Sequence, residues 1–164
     1  MITIEAAQTI ADYKTISGLA KTVWTRHYTP ILGERQVAYI LKKFHSDSAI
    51  EDLVEKGTFY YLLQVKGTPV GYFSFSKKGD FLFLSKLYVL NTARGKGVGK
   101  AALSFLEAHA RELGLKKIKL TVNKDNTHSI RAYEKMGFIN LEGIVQDIGH
   151  GYVMDDYVME KVLQ

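Results

Sequence analysis

Three glycines alternate with other residues in a short basic stretch of the chain. The stretch is Arg94-Gly95-Lys96-Gly97-Val98-Gly99-Lys100, which lies between an apolar run typical of a strand and a segment typical of a helix. Glycine carries no side chain that would keep a ligand away from the backbone. The first amides of a helix also lack backbone partners and lie at the positive end of its dipole. This stretch, here called the glycine turn, therefore predicts an anion site, with phosphate as the usual anion.

Two common phosphate loops do not fit the glycine turn. A Walker loop requires a glycine, four spacers and then Gly-Lys-Ser/Thr, but Arg94 replaces its first glycine and Ala101 its hydroxyl residue. The dinucleotide fingerprint requires a third glycine at the position of Lys100. The pattern that remains is Arg-x-x-Gly-x-Gly, at Arg94, Gly97 and Gly99. A turn that binds no ligand stays as the alternative, because short motifs give false positives.

Length and composition predict one globular domain over residues 1–164, with 46% hydrophobic and 24% charged residues. The chain has no cysteine, which excludes disulfides, a thiolate nucleophile and cysteine-ligated metals. The five histidines show no metal-binding spacing, so we expect no metal. No apolar run approaches the roughly 20 residues of a membrane span, and the first residues do not resemble a signal peptide. We therefore expect a cytoplasmic protein with no membrane partner.

The formal net charge of +5 suggests an anionic partner. The lysines are scattered along the chain and form no tract, so we expect no nucleic-acid partner. Lys96 and Lys100 lie within the glycine turn itself, although they could equally be solvated surface charges. A polyphosphate cofactor fits this distribution of charge better than a nucleic-acid duplex does.

Hydrophobic periodicity predicts an α+β (mixed α/β) fold in the order β-α-α-β-β-β-α-β-α-β-β. Pro30 is expected to keep Thr29 out of a helix, and Asn126 or Thr127 to cap the last helix. The helix after the glycine turn should connect two parallel strands. The predicted strands are residues 2–4, 58–65, 70–75, 81–89, 118–122, 138–148 and 152–162. The predicted helices are residues 9–23, 34–45, 101–113 and 127–136, with a further short helix at residues 48–55 that this order does not count.

A second motif accompanies the glycine turn, in residues 126–138. Asn126, Ser129, Tyr133 and the pair Gly137-Phe138 resemble the Asn-x-x-Ala/Ser-x-x-x-Tyr-x-x-x-Gly-Phe helix of the GNAT superfamily of N-acetyltransferases. The glycine turn resembles the coenzyme A loop of the same family, and the order of elements is similar from end to end. More narrowly, residues 24–28 and 152–161 resemble polyamine acetyltransferases of the PaiA type. The resemblance implies a single-domain GNAT fold, with a central, mostly antiparallel, twisted sheet of about seven strands flanked by helices.

The resemblance also implies acetyl-coenzyme A as cofactor. In such enzymes the backbone of the strand before the turn pairs with the pantetheine arm, and one amide there can stabilise the oxyanion of the thioester. Arg94 could instead only cap the turn, and Asn126 could merely cap its helix. The implied cofactor-binding residues are Leu87, Tyr88, Val89, Arg94, Gly95, Lys96, Gly97, Val98, Gly99, Lys100, Asn126, Ser129 and Tyr133.

Tyr133 is the candidate catalytic residue, because a neutral phenol near the sulfur is an adequate acid for the departing thiolate. From the residues alone it could equally be a packed aromatic beside Ile130 and Met136. Residues 84–87, Leu-Ser-Lys-Leu, offer no carboxylate, so no side-chain base is predicted on this strand. Since cysteine is absent, we expect direct attack of the amine in a ternary complex.

The acceptor is the least constrained prediction. Trp24, Tyr28, Asp155 and Asp156 are candidates for binding a cationic amine, with His45 beside the aromatics, but each could be an ordinary core or surface residue. By the resemblance, the expected substrate is a polyamine such as spermidine or spermine. A protein N-terminal, lysine or other small-amine acetyltransferase, and a non-catalytic acyl-coenzyme A sensor, stay as alternatives. Relatives often form homodimers, so the resemblance leaves a homodimer open here, and nothing in the sequence establishes one.

Overall fold

The strands are the segments in which apolar and β-branched residues alternate, and the helices carry apolar residues at intervals of three and four. A computed structural model describes residues 1–164. The strands are β1 Ile2–Ala6, β2 Phe59–Val65, β3 Thr68–Lys78, β4 Phe81–Val89, β5 Lys117–Asn123, β6 Ile139–Gly149 and β7 Tyr152–Val162. The helices are α1 Ile10–His27, α2 Thr29–Leu32, α3 Glu34–Phe44, α4 Asp47–Glu55, α5 Val98–Glu112 and α6 Thr127–Lys135, with a 3₁₀ turn at Asn91–Ala93.

The seven strands form one mixed sheet in the order β1-β2-β3-β4-β5-β7-β6. The pairs β1/β2, β2/β3, β5/β7 and β6/β7 are antiparallel. Strands β4 and β5 are parallel, because α5 carries the chain back between them. The predicted fold class, with seven mostly antiparallel strands and a parallel pair around the glycine turn, is confirmed.

The chain groups into two compact units. The first comprises Met1–Ser76 and Lys86–Ser104. Its core contains the fully buried side chains Ile16, Ile50, Leu63, Tyr72, Phe73 and Phe75. Helix α1 begins with a capping box, in which the Thr9 hydroxyl accepts from the amide of Asp12 and the Asp12 carboxylate accepts from the amide of Thr9.

The second unit comprises Lys77–Ser85 and Phe105–Gln164. Its core contains the buried side chains Leu82, Leu106, Ile118, Leu120 and Met159. Because β4 changes unit between Ser85 and Lys86, the glycine turn belongs to the first unit and α6 to the second. The prediction of a single domain over residues 1–164 stays a prediction.

The region around Pro30 differs from the sequence prediction. Helix α1 continues to His27, and Thr29 begins the short helix α2 with Pro30 in its first turn. The prediction that Pro30 would exclude helix at Thr29 was wrong, because proline in a first turn lacks only an N–H that would be unpaired anyway. None of the helices combines the length and apolar content needed to cross a lipid bilayer.

Candidate active site

The glycine turn leaves its backbone open. Gly95 and Gly97 both adopt a φ of +78°, which other residues avoid, and a Cβ added at Gly95, Gly97 or Gly99 would meet nothing within 4 Å. The first amide to bond back into α5 is that of Ala101, which donates to the carbonyl oxygen of Gly97 at 3.0 Å. The amides of the preceding residues therefore have no intrahelical acceptor. Buried Val98 anchors this first turn of α5.

The last residues of β4 lie beyond the ladder between β4 and β5. That parallel pairing runs from Leu82 to Leu84, opposite residues 118–120, whereas β4 itself continues to Val89. On the side of β3, Gly71 allows close approach, because a Cβ there would collide with the carbonyl oxygen of Tyr88. The backbone of Tyr88 and Val89 thus lies close to Gly71, and Leu87, Tyr88 and Val89 all lie beyond the pairing with β5.

Four rings of the first unit pack together at the end of β4. Trp24 stacks on Tyr28 with their ring centroids 4.1 Å apart, and Tyr88 meets the Trp24 ring edge-on at 5.8 Å. The imidazole of His45 lies 5.2 Å from the Trp24 ring. Trp24 is only 3% exposed, and its indole N–H is buried without a hydrogen-bond partner. The predicted acceptor aromatics Trp24 and Tyr28 are therefore adjacent, in the core beside Tyr88.

Lys86, two residues before Tyr88 in β4, is a part-buried polar group that sequence reasoning did not single out. The ammonium of Lys86 donates to the phenol oxygen of Tyr60 at 2.8 Å, and burial lowers the pKa of Lys86 to about 8. The Nδ1 atom of His45 lies 3.3 Å from the hydroxyl of Tyr72. Burial, aided by the charge of Lys86, holds the pKa of His45 well below its usual value. His45 is therefore a neutral imidazole at physiological pH.

A depression of about 410 Å³ opens beside the glycine turn. One wall is the end of α1, and the other is the segment that follows β4. Both walls contribute basic residues, which are Arg26 and His27 from the first and Arg94 from the second. The complete lining is Thr22, Val23, Arg26, His27, Val89, Leu90, Asn91, Thr92 and Arg94.

The second motif forms helix α6 of the second unit. Asn126 is its N-cap, and the side-chain oxygen of Asn126 accepts from the amide of Ser129 at 3.3 Å. The expected capping role of Asn126 is therefore present. Tyr133 is half-buried, and its ring packs edge-on against Phe138 with a centroid distance of 5.6 Å. Part of the phenol surface of Tyr133 is thus accessible.

The two neighbouring aspartates of β7 lie in different environments. Asp155 is exposed and forms a 2.7 Å ion pair with Lys124. Asp156 is 4% exposed, and its Oδ1 atom has no hydrogen-bond partner. Burial, together with the charge of Asp155, raises the pKa of Asp156 to about 6, although Lys124 opposes the shift. Asp156 is therefore the carboxylate of this unit with the environment typical of a functional group.

The predicted site residues divide between the two units. The first unit holds the glycine turn, the end of β4 and the aromatics Trp24 and Tyr28, and the second holds Asn126, Ser129, Tyr133, Asp155 and Asp156. The residues that sequence reasoning missed are Lys86 and Arg26. Lys86 lies on the same strand face as the buried Leu82 and Leu84, and this alternation was a signal of its partial burial. No three His, Asp or Glu side chains are grouped so that they could hold a metal ion.

A mixed seven-stranded sheet with an open glycine turn between its parallel strands defines a known class of protein. The chain belongs to the acetyltransferase (GNAT) family, whose model matches residues 22–138. The family resemblance found in the sequence is thereby confirmed.

Among solved structures, PaiA N-acetyltransferase of Thermoplasma acidophilum, in complex with coenzyme A, has the same fold. Its TM-score is 0.83 over 99% of both chains, at 20% identity. The uncharacterized N-acetyltransferase YjgM of Escherichia coli is 28% identical over 100 residues, which are 58% of this chain and 60% of YjgM. Spermine/spermidine N(1)-acetyltransferase of Bacillus subtilis is 36% identical over 62 residues, 37% of this chain and 41% of that protein. The chain thus spans less than two thirds of these two relatives.

Proposed function

We propose that this protein is an acetyl-coenzyme A dependent N-acetyltransferase that acts on a primary amine, with a polyamine such as spermidine or spermine as acceptor. The observation that carries the proposal is the open backbone of the glycine turn. A Cβ at Gly95, Gly97 or Gly99 would meet nothing within 4 Å, so the turn has room for a diphosphate against its amides. Oriented amides at a helix start are a ready site for such a group.

Each part of the cofactor has a counterpart among the residues of the first unit. The amides of the glycine turn and Arg94 hold the diphosphate, with Lys96 and Lys100 contributing positive charge. The backbone of Leu87, Tyr88 and Val89, which lies beyond the β4/β5 ladder, pairs with the pantetheine arm. One of these amides donates to the thioester oxygen and stabilises the negative charge that develops there.

Bound acetyl-coenzyme A supplies a thioester carbonyl carbon that the amine nitrogen attacks, so a C–N bond forms and a C–S bond breaks. The phenol of Tyr133 donates its proton to the departing sulfur. The proton of the amine passes to water or to a carboxylate, for which Asp156, with a pKa of about 6, is suited. No cysteine is present to form an acyl-enzyme, so the transfer is direct.

The polyamine assignment is supported by two observations of different kinds. Asp156 offers a buried carboxylate oxygen without a partner, which favours a cationic ligand. The relative from B. subtilis bears the name of a spermine/spermidine acetyltransferase, although the match covers 37% of this chain. Self-association of the chain stays a prediction, which sedimentation analysis tests directly.

An amine panel tests the proposal. Release of free thiol from acetyl-coenzyme A is followed with spermidine, spermine, a peptide with a free N-terminus and a peptide with an internal lysine. We expect turnover with the polyamines and a kcat/KM at least about tenfold lower with the peptides, a difference of about 1.4 kcal/mol. Higher activity with either peptide would indicate that the acceptor is a protein and not a polyamine. Binding of acetyl-coenzyme A without turnover of any amine would make the protein a sensor.

A further inference from the structure

The depression beside the glycine turn contains two arginines from parts of the chain that are distant in sequence. Arg26 comes from the last turn of α1, and Arg94 follows the 3₁₀ turn at Asn91–Ala93. Both line the same depression of about 410 Å³. Neither guanidinium forms an ion pair or a hydrogen bond with another group of the protein. Two unpaired cations therefore face one open space.

Three other residues of the lining can also bind an anion. Asn91 contributes an amide, and Thr22 and Thr92 contribute hydroxyls. Each of these groups can donate a hydrogen bond to a phosphate or carboxylate oxygen. No carboxylate lines the depression, so nothing there competes for the guanidinium groups.

We propose that this depression binds an anionic group, a phosphate or a carboxylate, and that Arg26 is a specificity-determining residue for it. Arginine suits this role because its planar fork matches such groups with two parallel hydrogen bonds. The inference rests on the proposed function, because two molecules of that reaction can supply the anion. One is coenzyme A, through its phosphates, and the other is an acceptor amine that carries a carboxylate.

Arg26 has a competing role that the test must separate. A cation in the last turn of a helix stabilises the helix dipole, and Arg26 lies in the last turn of α1. That role changes the thermal stability of the protein but leaves the affinity for an anion unchanged. Lys21 provides a matched control, because it is an exposed cation on the same helix and does not line the depression.

The experiment compares the wild type with Arg26→Gln, Arg26→Lys and Lys21→Gln by calorimetric titration of coenzyme A, dephospho-coenzyme A (without the 3′-phosphate) and pantetheine. If the anion is a phosphate of coenzyme A, Arg26→Gln should weaken coenzyme A binding about tenfold or more and leave pantetheine binding unchanged. Arg26→Lys retains part of the affinity, and Lys21→Gln equals the wild type. If Arg26→Gln and the wild type bind dephospho-coenzyme A equally, Arg26 binds the 3′-phosphate. If the variant also binds dephospho-coenzyme A more weakly, Arg26 binds the diphosphate.

The acceptor is tested in the same variants. If coenzyme A binding is unchanged, Arg26→Gln should instead raise the KM for an amine that bears a carboxylate, such as free lysine, relative to spermidine. Equal behaviour of Arg26→Gln and Lys21→Gln with every ligand would overturn the inference and leave the proposed acetyltransferase intact. Should the wild type bind no coenzyme A, the proposed function fails. Inorganic pyrophosphate, titrated into the same proteins, then decides whether the depression binds anions.

Discussion

The ammonium of Lys86 lies 2.8 Å from the phenol oxygen of Tyr60, on the strand that leads into the glycine turn. Lys86 also donates to the carbonyl oxygen of Phe44 at 3.4 Å. Burial raises the pKa of Tyr60 to about 12 and lowers the pKa of Lys86 to about 8. The phenol is therefore the neutral acceptor and Lys86 the donor. This contact fixes the residue immediately before Leu87, where the proposed pantetheine backbone contacts begin.

The partly desolvated charge of Lys86 should destabilise the protein at neutral pH. Because its pKa is about 8 in the native state and ordinarily 10.5, the unfolded state binds more protons between these values, and stability rises with pH there. Lys86→Met should therefore raise the free energy of unfolding at pH 7 by about 1–2 kcal/mol. The gain should shrink from pH 8 to 10.5. Thermal melts over this pH range measure it, with the exposed Lys14→Met as control. A loss of stability at pH 7 would contradict the expectation.

Two helical glycines allow a matched test of cofactor binding. Gly99 in α5 and Gly18 in α1 both have free space around an added Cβ, and neither has a positive φ. Each alanine variant should fold and be at least as stable as the wild type, because alanine is the better helix former. Only Gly99→Ala should weaken acetyl-coenzyme A binding, since its methyl group enters the space that the diphosphate needs. Calorimetric titration distinguishes the two, and equal affinities would remove Gly99 from the site.

Tyr133→Phe tests the proposed acid. The variant keeps the ring that packs against Phe138 and loses only the proton donor. We expect kcat to fall about a hundredfold, with the dissociation constant of coenzyme A nearly unchanged. Steady-state kinetics and calorimetry measure the two quantities. Tyr39→Phe, which loses a phenol hydroxyl on α3, serves as control, and unchanged kcat in Tyr133→Phe would exclude the acid role.

Asp156 should give the protein a characteristic pH dependence. Its pKa is raised from 3.8 to about 6 in the native state, so the native state binds more protons than the unfolded state between these values. Its contribution to stability is thus greatest below pH 3.8 and is lost as pH rises through 6. Asp156→Asn should melt at a higher temperature than the wild type above pH 6, and the difference should disappear towards pH 4.

Asp156→Asn should weaken the binding of a cationic acceptor, although it stabilises the protein above pH 6. Loss of the carboxylate should raise the KM for spermidine at pH 8, and the wild-type KM should rise as pH falls through 6. Asp155→Asn is the control, because Asp155 is exposed and paired with Lys124; this variant keeps the Asp156 carboxylate and should change the KM for spermidine far less. An Asp156→Asn variant that is less stable than the wild type at pH 8 would refute the assigned environment.

Local patterns in the sequence predicted the strands and the glycine turn. Alternation predicted β7 with both ends correct, and the glycines predicted the start of α5 to within a few residues. Neighbouring residues of a strand face opposite sides, which explains why Asp155 is exposed and Asp156 is buried. Which of the two is buried depends on the pairing of Asp156 with Asn123 on β5, and a single sequence does not contain that register.

The rest of the site depends on contacts between distant segments. Arg26 acquires its role only because the end of α1 lies beside the segment after β4, and no local pattern encodes that contact. The alternation of β4 puts Lys86 on the strand face of Leu82 and Leu84, but lysine is rarely buried, so the pattern alone does not predict its partial burial. Pro30 was misjudged because its effect depends on whether it begins a helix or interrupts one.

Amide hydrogen exchange of residues 94–100, with and without acetyl-coenzyme A, tests the central claim most directly. If the amides of the glycine turn hold the diphosphate, their exchange should slow markedly on addition of the cofactor, while α3 (Glu34–Phe44) exchanges at the same rate in both samples. Unchanged exchange of residues 94–100 in the presence of saturating acetyl-coenzyme A would contradict the account.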